Sequence, residues 1–250
     1  MISVTQRINQ VVQPAGGYLN PKGFTVTKLE DDVELKQTEN IHNNLIGIAV
    51  EGMTRYMNGA PKEEVFKISF LGAQTVNQAD QAKEMLEKIT GLDDVSIINA
   101  CKLVGYDVCY SAKGVGFKPV QTIEPDNDTI FNIRLMVQRS LEFIKKYGPT
   151  IKDGFSFDGG YTSKVTMGDG DFLTENTLWD FKVSQKPLNM EYTLELLMHY
   201  FMGIHTRQKE FRAIKNLGMF NPRLNIVYLI ETRRISQATK ERISREVIGY

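Results

Sequence analysis

The stretch from Gly168 to Val183 constrains the fold more than any other part of this sequence, because apolar and charged residues alternate along it. In its second half, three apolar residues alternate with Asp180 and Lys182. Successive side chains of a β-strand point to opposite faces of the sheet, so the pattern predicts a strand. One face would carry apolar side chains into a core, and the other would leave Asp180 and Lys182 as a candidate site.

The same stretch also predicts a β-hairpin. A polar quartet at residues 174–177 separates its two halves. If the chain turns symmetrically within that quartet, the numbers of paired residues sum to about 351. Asp171 is then expected opposite Asp180, and Asp169 opposite Lys182. This expectation depends on the register, because a slip of one residue moves every side chain to the other face.

The predicted pairing brings two carboxylates together. Like charges at directly opposite positions destabilise a sheet unless something compensates them. A divalent cation between Asp171 and Asp180 would do so, since Mg²⁺ prefers one or two carboxylates together with water and phosphate oxygens. The ammonium group of Lys182 would then orient an attacking water and offset negative charge in the transition state. In the alternative interpretation the acidic residues belong to turns, and Asp180 and Lys182 form a solvated strand face.

Further strands and helices are predicted around this hairpin. The hydrophobic spacing predicts a helix from Glu39 to Met57, a short strand from Phe66 to Leu71, a three-stranded meander from Gly154 to Val183, an apolar helix from Met190 to Met202, a strand from Leu224 to Glu231, and a polar helix from Ser236 to Ile248. The expected fold is α/β, with a mixed central β-sheet flanked by helices. We expect a single domain over residues 1–250, with a helical insertion or sub-domain at residues 77–147.

The order of these elements resembles a known family. An acidic residue on one strand, Asp-x-Lys on the next strand and then an apolar helix is similar to the core of the PD-(D/E)XK nuclease superfamily, which includes RecB-type nucleases, lambda-type exonucleases and many restriction enzymes. The resemblance covers residues Gly154 to Glu231. It implies a restriction-endonuclease-like fold, with Asp171 and Asp180 as metal ligands and Lys182 as the catalytic lysine.

The resemblance also implies an acidic residue from a helix that precedes the meander. Glu51 is the candidate catalytic residue for this role, with Glu39 and Glu142 as rivals, and an exposed ion pair with Arg55 is the alternative explanation of Glu51. In the RecB branch the helix after the lysine strand carries Gln-x-x-x-Tyr. This chain has Glu195 and His199 at those two positions, which departs from the pattern. A satisfied buried pair is the alternative role for these two residues.

The C-terminal part of the chain is locally basic. Residues 203–250 contain ten Lys or Arg and four Asp or Glu, although the whole chain has no net charge. A basic region beside an acidic site is what a nuclease needs to hold a polyanion. The candidate phosphate contacts are Arg207, Lys209, Arg212, Lys215 and Arg223. The alternative is a solvated surface with no ligand.

Together these patterns predict a Mg²⁺-dependent deoxyribonuclease that hydrolyses phosphodiester bonds, with Mn²⁺ as a substitute metal. DNA is the expected partner and RNA an alternative one, and a homodimer or a larger nuclease complex is open. The competing function is a catalytically silent protein that binds nucleic acid or assembles a complex on a nuclease-like fold. Two cysteines, no apolar signal region and no apolar run of membrane length predict a cytoplasmic protein without a membrane partner.

Overall fold

The computed structural model describes residues 1–111 and 117–250, which divide into two compact units. The sheet unit comprises residues 1–30 and 143–250, and the helical unit comprises residues 31–142. The helical unit begins at residue 31, well before the start of the insertion predicted at residues 77–147. Residues 112–116 of that predicted insertion lie outside the described part of the chain.

The described residues form both strands and helices, numbered here in chain order. The strands are β1 (Thr25–Lys28), β2 (Lys152–Ser156), β3 (Asp169–Leu173), β4 (Thr177–Phe181), β5 (Asn216–Asn221) and β6 (Ile226–Glu231). The helices are α1 (Val4–Gln10), α2 (Asn43–Met57), α3 (Lys62–Val65), α4 (Lys67–Thr75), α5 (Ala79–Glu87), α6 (Asp94–Val104), α7 (Asp107–Ser111), α8 (Asn127–Tyr147), α9 (Met190–His205) and α10 (Gln237–Arg242). The prediction of an α/β fold with a mixed sheet is confirmed.

The described strands form one six-stranded sheet in the order β1-β6-β5-β4-β3-β2. The strands β2, β3 and β4 form an antiparallel meander, as the sequence predicts, and β5 runs parallel to β4. The hairpin of β3 and β4 pairs Phe172 with Trp179 and Leu173 with Leu178. Both pairs sum to 351, so the predicted register is confirmed.

Helix α9 connects the two parallel strands β4 and β5. It begins at Met190 because the side chain of Asn189 accepts hydrogen bonds from the backbone N–H groups of Glu191 and Tyr192. Its apolar residues pack on one face of the sheet. The main core of the sheet unit includes Leu194, Leu197 and Met198 of α9 together with Leu178, Leu217 and Met219 of β4 and β5.

Aromatic side chains cover the opposite face of the sheet. The cluster comprises Phe143, Phe172, Trp179, Phe220 and Val227. The Phe143 ring stacks on Phe220 with centroids 4.2 Å apart and meets the edge of Trp179 at 4.9 Å. Trp179 also donates a hydrogen bond to Thr174 Oγ1 at 3.1 Å, which satisfies its buried indole N–H.

Gly218 provides the space that the Trp179 ring occupies. The two residues are partners across β4 and β5. A Cβ atom at Gly218 would lie 2.3 Å from two carbon atoms of the Trp179 ring, which is far inside van der Waals contact. Because the ring is packed against other aromatic side chains, it has little room to move away.

Several elements differ from the predictions. Residues 66–71 were predicted as a strand, but α4 occupies this stretch. Its N-cap residue Phe66 and its residues Ser69 and Ala73 are buried and recur at three- and four-residue steps, so helical burial decides the structure of this short apolar run. Two strands, β1 and β5, were not predicted, and Gly218 interrupts the apolar pattern of β5. The helix predicted from Glu39 begins at Asn43 and belongs to the helical unit.

The helical unit contains only helices and irregular segments among its described residues. The buried side chain of Asn132 fixes the segment before α2, because it accepts from Lys36 N and donates to Lys36 O and Glu39 Oε1. Cys101 and Cys109 are buried and form no disulfide, as expected from the sequence. In the described ranges, none of the helices combines the length and the apolar character that crossing a bilayer requires.

The contact between Gly218 and Trp179 makes a stability prediction. Gly218→Ala is expected to lower the free energy of unfolding by about 1–3 kcal/mol, because the added methyl group overpacks the aromatic cluster. Gly23→Ala is the matched control, since a Cβ at Gly23 would meet only Ile230 at 3.8 Å. Urea denaturation of both variants measures the difference, and equal stability of the two variants would contradict this account of the packing.

Candidate active site

Asp180 lies on the central strand β4 and is buried. Its side chain shares a face with Leu178, and only 1% of Asp180 is accessible to solvent. The core formed with α9 covers this face of the strand. The interpretation of Asp180 as part of a solvated strand face is therefore wrong. A buried carboxylate is costly unless cations or hydrogen bonds compensate for the lost hydration.

Asp171 lies beside Asp180 at the end of the β3–β4 ladder. The register that pairs Phe172 with Trp179 places Asp171 across from Asp180 at the next position. There the side chain replaces the backbone as acceptor, since Asp171 Oδ2 accepts a hydrogen bond of 2.5 Å from the N–H of Phe181. The register of the hairpin therefore places the two carboxylates at opposite positions, as the sequence predicts.

Asp169 has a different neighbour from the predicted one. It pairs with Ser156 on β2, and the ladder described between β3 and β4 does not extend to Lys182. The backbone N–H of Lys182 instead donates to Phe220 O on β5. Burial and the charge of Asp158 raise the pKa of Asp169. The described β3–β4 ladder ends at the pair of Phe172 and Trp179, so the expected pairing of Asp169 with Lys182 is not part of it.

The ammonium group of Lys182 joins two carboxylates from different elements. Lys182 Nζ lies 3.0 Å from Asp180 Oδ1 and 3.1 Å from Glu195 Oε2 on α9. It also lies 5.9 Å from the ring centroid of Tyr192, one turn earlier on α9. The side chains of Lys182 and Glu195 keep 22% and 18% of their surface exposed, whereas that of Asp180 keeps 1%.

These neighbours decide the charge of each group. Burial disfavours the charged form of Lys182, but the charges of Asp180, Glu195 and Asp171 raise its pKa well above the ordinary value. Burial also opposes ionisation of Glu195, yet the charge of Lys182 holds the pKa of Glu195 below its usual value. Lys182 and Glu195 are therefore both charged at neutral pH.

His199 follows Glu195 by one helical turn and is 4% exposed. Its ring centroid lies 5.1 Å from that of Phe157. Burial lowers the pKa of His199 to about 4; the charge of Glu195 opposes this shift and the charge of Lys182 adds to it. His199 is therefore neutral at neutral pH. The four-residue spacing of Glu195 and His199 in the sequence indicates that their side chains lie on the same side of α9.

Glu51 lies on α2 of the helical unit. Desolvation raises the pKa of the half-buried Asp107, and the charge of Glu51 raises it further. Of the two rivals, Glu39 accepts a hydrogen bond from Asn132. Glu142 lies on α8, the helix that directly precedes β2.

The donor set at the end of β4 fits a magnesium or manganese ion. Asp171 and Asp180 offer only carboxylate oxygens, the hard donors that these ions prefer. Within residues 1–111 and 117–250, no cluster of three or more Asp, Glu, His or Cys side chains has the arrangement of a metal cage. Two carboxylates completed by water and substrate phosphate need no such cage, so the fit concerns Asp171 and Asp180 alone.

The predicted phosphate contacts do not form a single patch. Arg207, Lys209, Arg212 and Lys215 are exposed, and Arg223 is half-buried. Lys215 directly precedes β5, whose first residue pairs with the first residue of β4, next to the hairpin turn. Arg223 follows β5 near the end that carries Lys182. The two residues are thus separated by the length of a six-residue strand, roughly 20 Å.

Comparisons with protein-family models, curated proteins and solved structures find no significant match to this chain.

The buried His199 makes stability depend on pH. Because its pKa falls from 6.5 in the unfolded chain to about 4 in the folded protein, the unfolded chain binds more protons between these pH values. We expect His199 to remove up to about 3 kcal/mol of stability as the pH falls from 7 to 4, at about 1.4 kcal/mol per pKa unit.

Urea denaturation of the wild type and of His199→Gln at several pH values measures this effect. The variant should lose less stability than the wild type between pH 6.5 and pH 4. Parallel losses in the two proteins would show that His199 does not cause the pH dependence.

Proposed function

We propose that this chain is a divalent-metal-dependent nuclease of restriction-endonuclease-like fold, which hydrolyses phosphodiester bonds in DNA in the cytoplasm. The observation that carries the proposal is the group of Asp171, Asp180, Glu195 and Lys182 at one end of β4. An ion pair needs one carboxylate for one ammonium, whereas these four side chains sum to a formal charge of −2. A divalent cation would stabilise this concentration of carboxylates.

The order of elements supports the same proposal. The resemblance depends on a strand with an acidic residue, a second strand that leads into Asp-x-Lys, and an apolar helix. These elements are β3, β4 and α9. The helix α9 packs on the sheet face that carries Asp180, so the motif residues lie where a strand end and a helix meet. Binding and catalytic groups are held more accurately on such elements than on loops.

Each residue would have a separate role in the reaction. Asp171 and Asp180 would hold Mg²⁺ or Mn²⁺, and the bound ion would supply Lewis-acid chemistry for phosphodiester hydrolysis. The raised pKa of Lys182 keeps a proton on Nζ, so its positive charge is available to orient water and to offset charge on the phosphate. Arg223 would contact the DNA backbone beside this site.

The first test is metal-dependent cleavage. We expect the wild type to cut plasmid or linear DNA with Mg²⁺ or Mn²⁺ and not with EDTA. Asp180→Asn and Lys182→Ala should each reduce the rate by about 10²–10³-fold, because the first removes a carboxylate that would hold the metal and the second removes the positive charge that would act on the phosphate. Glu175→Ala, at the exposed turn of the same hairpin, is the matched control and should cut normally.

Thermal denaturation of each variant separates loss of activity from loss of folding. A wild type that never cuts single- or double-stranded DNA or RNA, and binds no Mn²⁺ in calorimetry, would overturn the proposal. The network would then be structural, and a catalytically silent binding or assembly protein would be the better account. Cleavage that survives both substitutions would show that the active site is elsewhere.

The second test uses the two ends of β5. We expect Arg223→Ala to weaken binding of duplex DNA in EDTA and to reduce the slope of log affinity against log salt by about 0.9, the value for one phosphate contact. Lys215→Ala removes a positive charge at the other end of the strand and should change neither quantity. Fluorescence anisotropy over a salt series measures both, and a larger effect of Lys215→Ala would contradict the proposed path of the DNA.

A further inference from the structure

Lys182 holds two carboxylates that have different surroundings. Asp180 is buried on β4, lies across from Asp171, and accepts from Lys182 through Oδ1 at 3.0 Å. Glu195 projects from α9 and lies 3.1 Å from the same ammonium group. The ammonium therefore already contacts one carboxylate of the proposed metal pair and one carboxylate outside it.

A divalent cation at Asp171 and Asp180 would compete with this arrangement. The cation would take over carboxylate oxygens of Asp180, one of which contacts Lys182, and two positive charges a few ångströms apart repel each other. This repulsion favours loss of the contact between Lys182 and Asp180. Without a second partner the ammonium would have to leave the site for solvent, and its charge would be lost from the place where the reaction needs it.

We propose that Glu195 is a positioning residue that retains the Lys182 ammonium beside the site when a divalent cation occupies Asp171 and Asp180. The inference rests on the proposed function, since it concerns the same metal pair. Lys182 needs no new partner for this change, because it gives up one of two contacts and keeps the other. Tyr192, whose hydroxyl lies 3.0 Å from that of Ser184, also belongs to α9, and its ring centroid lies 5.9 Å from Lys182 Nζ.

The alternative role for Glu195 is a direct metal ligand. The two roles differ in their dependence on Lys182. A ligand contributes to metal affinity whether or not the lysine is present. A residue that acts by holding the lysine away from Asp180 contributes much less once the lysine has been removed.

A double-mutant cycle with Mn²⁺ alone distinguishes these roles. Calorimetry measures the Mn²⁺ affinity of the wild type, Glu195→Gln, Lys182→Met and the double variant. We expect Glu195→Gln to weaken binding about tenfold in the wild-type background, since the ammonium then competes fully for Asp180. In the Lys182→Met background the same change should have less than about a third of that effect. Glu191→Gln, an exposed glutamate one turn earlier on α9, is the matched control.

A crystal structure of the wild type with Mn²⁺ gives a second readout that does not depend on activity. We expect Lys182 Nζ within hydrogen-bonding distance of Glu195 and separated from Asp180. An equal loss of affinity in both backgrounds, or a Glu195 oxygen on the ion, would overturn the positioning role and leave the proposed function intact. Absence of Mn²⁺ binding by every variant would overturn both.

Discussion

The burial of Asp180 on the central strand is the constraint on which this structure depends. Because Asp180 is only 1% exposed to solvent, its carboxylate has lost almost all of its hydration and requires a cation at close range. Lys182 supplies that cation from the position just after β4, two residues beyond Asp180, with its Nζ 3.0 Å from Asp180 Oδ1. Helix α9 contributes a polar residue, Glu195, to this group, although the residues directly beside it in α9 are apolar.

The two faces of the sheet respond differently to this constraint. On one face, Trp179 and Phe220 pack with Phe143 in an aromatic cluster, and Gly218 leaves the space for the indole ring. On the other face, the apolar core under α9 ends at the polar group formed by Asp180, Lys182 and Glu195. Dense packing thus fixes the strand from one side, while ion pairs fix its end from the other. This arrangement holds the charged groups on rigid elements, as a reactive site requires.

A buried ion pair contributes little net stability, because the desolvation penalty offsets most of the Coulomb attraction. An apolar pair at these positions would pack on α9 at lower cost. The retention of four charged side chains at one strand end is therefore poorly explained by stability alone. It is better explained by a cation or a phosphate that meets this end of the sheet, which is the basis of the proposed nuclease function.

The sequence by itself determined the hairpin and its register, and it indicated Asp171, Asp180 and Lys182 as candidate site residues. These follow from local rules, since alternation assigns faces and a short polar turn fixes which residues oppose each other. Only the tertiary structure decided that Asp180 is buried and that Glu195 reaches Lys182. It also assigned Glu51 to the helical unit and showed that Lys215 and Arg223 lie at opposite ends of β5. These facts depend on which elements pack together over long separations in the chain, and no local pattern of side chains encodes that choice.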